Sequence, residues 1–164
     1  MRSAHLVLIA SSMTAFAAAA AEPQADAWVQ GPERPSLNGE AGKTWFSPVF
    51  GRRSGTFPAM YDSMQDTRDS VTGDFLVARF RYTYDAPIGE GSKISPRHDE
   101  SITEVLLDCD RHFSGTASIR YLLDGKEVAR QDDGADDILM TQMENDAGTT
   151  VGDLCEFARQ RGAK

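Results

Sequence analysis

The feature that most limits what this chain can become is a two-residue rhythm in its middle. Residues 75–84 read Phe-Leu-Val-Ala-Arg-Phe-Arg-Tyr-Thr-Tyr. Successive side chains of an extended strand point to opposite faces. Leu76, Ala78, Phe80, Tyr82 and Tyr84 therefore share one face, the predicted core face, and Phe75, Val77, Arg79, Arg81 and Thr83 share the other. Ser101–Arg111 keeps the same period. Thr103, Val105, Leu107 and Cys109 fall together, opposite Ile102, Glu104, Leu106, Asp108 and Asp110. Further on, Asp124-Gly125 separates two β-rich runs. An Asp-Gly pair there predicts a hairpin, because both central residues of a type I′ turn need positive φ. A chain built this way makes a sheet.

The flanking segments are less regular. Trp45–Phe50 reads as a strand, placed at an edge because Pro48 has no N–H for a ladder. Gly51–Gly55 reads as a turn, Met60–Met64 as a short strand, and Pro87–Asp99 as a loop with two prolines and two glycines. Ile138–Met143 reads as a last strand. The end of the chain is helical. Thr150 can cap, Asp153 lies in the first turn, and Arg159 and Arg161 lie in the last with Gly162 behind them. Val151, Leu154, Cys155 and Ala158 are spaced to line one helical face.

The first residues carry an address. Arg2 supplies a positive charge, an apolar run follows from Leu6, and Ala19-Ala20-Ala21 offers the small residues that signal peptidase reads. Residues 1–21 are expected to be a signal peptide, 22–43 an extended or flexible lead-in rich in Pro and Gly, and 44–164 a single domain. The chain is 164 residues long, enough for one domain and too short for two with good cores. No cysteine lies near the cleavage point, so no lipid anchor is expected, and no stable membrane span is expected once the leader is removed. A periplasmic or secreted location follows. In such an oxidising compartment the two cysteines, Cys109 and Cys155, are expected to pair. Closing so long a loop contributes about 4 kcal/mol in the chain-entropy treatment. The fold class expected is α+β: a small antiparallel β-sheet packed by a C-terminal α-helix, the two joined by one disulfide.

Charge and composition exclude several functions. A formal net charge of −8 gives no electrostatic footprint for nucleic acid. Two cysteines are too few for a Cys-rich structural zinc site. There is no G-x-S-x-G, H-E-x-x-H, phosphate loop or dinucleotide fingerprint, and no cofactor is expected. His98 and His112 remain as imidazoles beyond the leader, and the reading without motif context is a surface polar histidine for each. Asp132, Asp133, Asp136 and Asp137 are weak candidates for calcium, since they lack the rhythm of an EF-hand loop. Trp45 with Arg52 and Arg53 forms an aromatic-basic candidate for binding, and Arg79 and Arg81 form a second basic pair. Those two arginines have Glu104, Asp108 and Asp110 as candidate cross-strand partners.

The order of these features resembles a known family. An exported leader is followed by an aromatic strand with Trp45 and then by Tyr61-Asp62-Ser63. A central strand, Asp108-Cys109-x-Arg111, a Tyr121-to-Gly125 hairpin and a terminal Cys155 complete the order. This is similar to the surface-adhesin protein E-like family of bacterial exported proteins, over roughly residues 44–158. The resemblance implies a non-catalytic binding or interaction module of a bacterial envelope with a protein partner. The alternatives from the residues alone are a small periplasmic hydrolase or inhibitor-like protein using His98 or His112, and, more weakly, a calcium-dependent module.

Overall fold

The computed structural model describes residues 28–33, 40–61, 68–134, 137–142 and 148–163. Among them the chain forms eight strands and one helix: β1 Val29–Gln30, β2 Gly42–Phe46, β3 Gly51–Met60, β4 Arg68–Ile88, β5 His98–Asp108, β6 Phe113–Leu123, β7 Lys126–Asp132, β8 Met140–Gln142 and α1 Thr150–Gln160. The expected leader, residues 1–21, and Asp62–Met64 of the expected short strand lie outside the described residues.

The strand pairings run in a ring. β3 pairs with β4, β4 with β5, β5 with β6 and β6 with β8, all antiparallel. β8 then pairs back onto β3, in parallel, at Ala59↔Met140 and Met60↔Thr141. A ring of five strands cannot alternate direction all the way round, so one parallel contact is required. The sheet is thereby closed into a small barrel. Its interior holds Phe57, Ala59, Val71, Phe75, Leu106, Phe113, Ala117, Ile138 and Met140. Phe57 meets Phe75 edge-on at 5.2 Å, and Tyr61 meets Phe113 edge-on at 5.1 Å. Closure depends on a glycine. A Cβ on Gly115 would lie 2.7 Å from Met140 Sδ and 2.9 Å from Ile138 Cγ2, so only glycine lets the segment leading into β8 approach β6 this closely.

The 21-residue β4 is long enough to serve two neighbours along one edge. Its first half pairs with β3 and its second half with β2, which in turn carries β1. On the other side of the barrel, β7 extends β6 through the expected hairpin, where Asp124 and Gly125 adopt φ of 51° and 72°. The outer face of β2, β4 and β5 has its own core. Phe46, Leu76, Ala78, Val105 and Leu107 pack there against Leu154, Cys155 and Ala158 of α1. Thr149 caps the helix by accepting from the Gly152 N–H, one residue earlier than expected. Cys109 and Cys155 form the expected disulfide, with their Cα atoms 5.7 Å apart.

The expected α+β class is corrected. Among the described residues the protein is mostly β, with 59% of them in strands and one short helix. The reason lies in one misread segment and in a closure that no local pattern shows. Gly51–Gly55, expected as a turn, is the start of the ten-residue β3, and its register against β4 is unbroken from Gly51↔Val77 to Met60↔Arg68. Together with β8, that strand closes the barrel, so the sheet encloses a core of its own without needing a helix to cover it. Two smaller differences follow. Trp45 and Phe46 end β2 before Pro48, and Val29–Gln30 of the expected lead-in forms a strand on β2.

Candidate functional site

The outer face of the sheet is not fully covered by α1. Beyond the helix it forms the floor of a cavity of about 730 Å³. Phe80, Tyr82 and Tyr84 come from β4, Ser101, Thr103 and Val105 from β5, and Thr116, Ile119 and Tyr121 from β6. One wall is the first turn of α1, with Thr150 and Val151, and another is the segment around Asp133, Asp137 and Leu139. The third wall is the loop between β4 and β5, with Ile94, Ser95 and Pro96.

That loop is tied to itself. Ser95 O accepts from the N–H groups of Gly91 and Ser92 at 2.9 and 3.1 Å, and the Ser95 N–H donates to Ser92 Oγ at 3.0 Å. Gly89 has φ of 88°, and a Cβ there would lie 2.2 Å from Pro96 O. The tip presents Ile94, 97% exposed. Leu139 on another rim is also exposed. An isolated exposed apolar residue needs no explanation, but two on the rim of one aromatic cavity are the pattern of a binding surface.

Four rings run through the cavity in series. Tyr82 lies 4.8 Å from Tyr84, Tyr84 meets His98 edge-on at 5.2 Å, and His98 meets Tyr121 at 4.8 Å. His98 is only 6% exposed, which corrects the expectation of a surface histidine. Its Nδ1 lies 2.7 Å from Pro96 O. A carbonyl oxygen can only accept, so Nδ1 carries the proton and Nε2 is the acceptor of the neutral ring. Among the described residues Nε2 has no hydrogen-bond partner, and none of the hydrogen bonds of His98 goes to a carboxylate or a hydroxyl. His112, by contrast, is exposed in the turn after β5, with φ of 59°.

The basic and aromatic candidates sit on the opposite face, which continues the barrel interior. Trp45 and Arg81 face one another across β2 and β4, and the Arg81 guanidinium lies 5.2 Å from the Trp45 ring and 5.2 Å from that of Trp28. Trp45 Nε1 donates to Thr83 Oγ1 at 3.2 Å. Arg81 Nε is buried without a partner among the described residues, and its Nη1 lies 4.0 Å from Glu100 Oε1. Burial pushes the Glu100 carboxyl above its ordinary range, against the pull of Arg81. Arg79 pairs with Glu104 at 3.1 Å. Arg52 and Arg53 do not join this group. They stand opposite Leu76 and Phe75, about five residues further along β4, roughly 16 Å from Trp45 in strand rise. Arg53 lies over the Phe57 ring at 5.4 Å.

The acidic segment is divided. Asp133 and Asp137 line the cavity, Asp132 lies 3.9 Å from Arg130, and Asp136 falls outside the described residues. Among the described residues no three His, Cys, Asp or Glu side chains gather where they could hold a metal ion. Nor is any helix of the described residues long and apolar enough to cross a membrane.

Sequence reasoning overlooked the cavity, although one signal pointed to it. Ser101 and Thr103 fall in step with Val105 and Leu107 on a face read as core, and hydroxyls at core-facing positions mark a place where the face is not closed. Comparison with known proteins finds no matching family, no similar curated protein and no similar solved structure.

Proposed function

We propose that the protein is an exported, non-catalytic binding module of a bacterial envelope, as its resemblance to the surface-adhesin protein E-like family implies, and that it binds through the outer-face cavity. The observation that carries this reading is His98. Its imidazole is held by the Pro96 carbonyl between two tyrosine rings in a cavity of ligand size, and its Nε2, bonded to no other described residue, is left to accept from whatever enters the cavity. Export draws support from the leader pattern and from the Cys109–Cys155 disulfide, which suits an oxidising compartment. A periplasmic or released location is consistent with both.

The non-catalytic part rests on what orients His98. A general base is commonly held by a carboxylate and placed against a nucleophile. Here a backbone carbonyl holds the ring. The test is a ligand-observed NMR screen of small amphipathic molecules against the native protein and a Thr116→Trp variant, whose indole fills the cavity from β6. Thr116 is partly exposed on the cavity floor, so the variant is checked for an unchanged melting temperature. Binders lost in the variant support the reading. Binders that persist unchanged place recognition elsewhere.

A further inference from the structure

The chemistry of the cavity goes further, to a class of ligand. We propose that it selects organic cations that carry N–H donors on an aromatic or aliphatic body, an inference that rests on the binding role just given. Every polar side chain that lines it is either a hydroxyl, able to donate and accept, or offers an acceptor to the cavity. His98 offers Nε2, and Asp133 and Asp137 offer carboxylates. Among the described residues no Lys, Arg, Asn, Gln or Trp lines the cavity, so no side chain there is an obligate donor. The burial of His98 sets this apart from an ordinary acidic loop, since its acceptor is fixed in place by the Pro96 carbonyl.

The apolar part of the lining points the same way. Phe80, Tyr82, Tyr84 and Tyr121 contribute four aromatic rings to the lining, and the face of an aromatic ring attracts a cation. A chain with a formal net charge of −8 adds a long-range preference of the same sign. One feature opposes it. The N–H groups at the start of α1, on the Thr150–Val151 wall, favour negative charge, though Thr149 already accepts from the Gly152 N–H. An anionic probe is therefore the counter-test.

Three probes of one shape separate the outcomes: 2-(1-naphthyl)ethylamine as the cation, 2-(1-naphthyl)ethanol as the neutral form and 1-naphthylacetate as the anion. Their affinities are measured by calorimetry at neutral pH against the native protein and an Asp133→Asn/Asp137→Asn variant. The backbone N–H groups of Asp133 and Asp137 donate to Ala117 O and Gly134 O, and the change leaves those bonds in place. The cation is expected to bind about tenfold more tightly than the anion, with the alcohol between them, and the variant is expected to lose most of that preference. Equal binding of all three, or tighter binding of the anion, overturns the cation selectivity while leaving the binding role intact. No binding by any probe overturns both.

Discussion

At the residue scale, the two faces of β4 and β5 carry buried polar groups in different states. On the face continuing the barrel interior, Glu100 has its carboxyl raised from an ordinary 4.5, first by burial and then by the charge of Asp99, with Arg81 and Arg120 pulling it back. A carboxyl whose folded pKa lies above its unfolded one binds protons more readily when folded. Its stabilising contribution is complete below the unfolded pKa and is lost as pH rises through the folded one. Replacing it by Glu100→Gln removes that loss. The melting temperature of the variant relative to the native protein should climb as pH rises from about 4.5 through the raised value. Thermal scans across that window check this, and a constant difference would contradict it. Glu127 behaves oppositely, its carboxyl lowered by hydrogen bonds from Arg120 and Arg130, but it lies at the surface and changes stability little.

A glycine carries the next residue-scale expectation. Gly115→Ala puts a methyl group against Met140 and Ile138 inside the barrel, where atoms at 2.7 and 2.9 Å leave no room. Overpacking of this kind costs about 1–3 kcal/mol. A denaturant titration should show the unfolding free energy falling by that amount and the midpoint moving down with it, and an unchanged midpoint would mean that β8 is not held as described.

At the scale of elements, the strongest strands were plain in the sequence and the closure was not. β4 and β5 announce themselves by alternation, the hairpin by Asp-Gly and the helix by its caps and apolar stripe. β3 did not, because Gly51-Arg52-Arg53-Ser54-Gly55 has the composition of a turn and acquires its strand shape from ten consecutive pairings with β4. β8 is three residues long, and its partners lie far away in sequence on β3 and β6. No local pattern can report a contact of that kind. The disulfide is different, since two cysteines in an oxidising compartment have only each other. It spans a sequence separation of 46 and ties α1 to the end of β5. Cys109→Ala with Cys155→Ala should lower stability by about 4 kcal/mol. Equilibrium unfolding of the double variant measures this, and a loss near zero would show that the helix is held by packing alone.

Across the whole molecule, the fold separates two kinds of surface on one set of strands. One face leads from the barrel interior into a row where Arg81 sits between Trp28 and Trp45, and Arg79 and Arg81 face the carboxylates of β5. The other face is covered by α1 at one end and left open at the other, where the rings of Tyr84, His98 and Tyr121 line the cavity. Of the candidates most visible in sequence, Trp45, Arg79 and Arg81 lie on the first face, engaged with one another or with the carboxylates of β5, and Arg52 and Arg53 stand apart further along β4. Those on the second were hidden, because Tyr82 and Tyr84 read as core and His98 read as surface. That histidine opens β5, held inward against Tyr84 and Tyr121 with its Nδ1 on the Pro96 carbonyl.

The central claim is that the second face binds. Amide chemical-shift mapping with 2-(1-naphthyl)ethylamine, on the uniformly labelled native protein, tests it most directly. Shifts concentrated at Tyr84, His98, Ser101, Tyr121 and Thr150, with Trp28 and Trp45 unmoved, are the predicted result. Shifts centred on Trp28, Trp45 and Arg81 instead would contradict it.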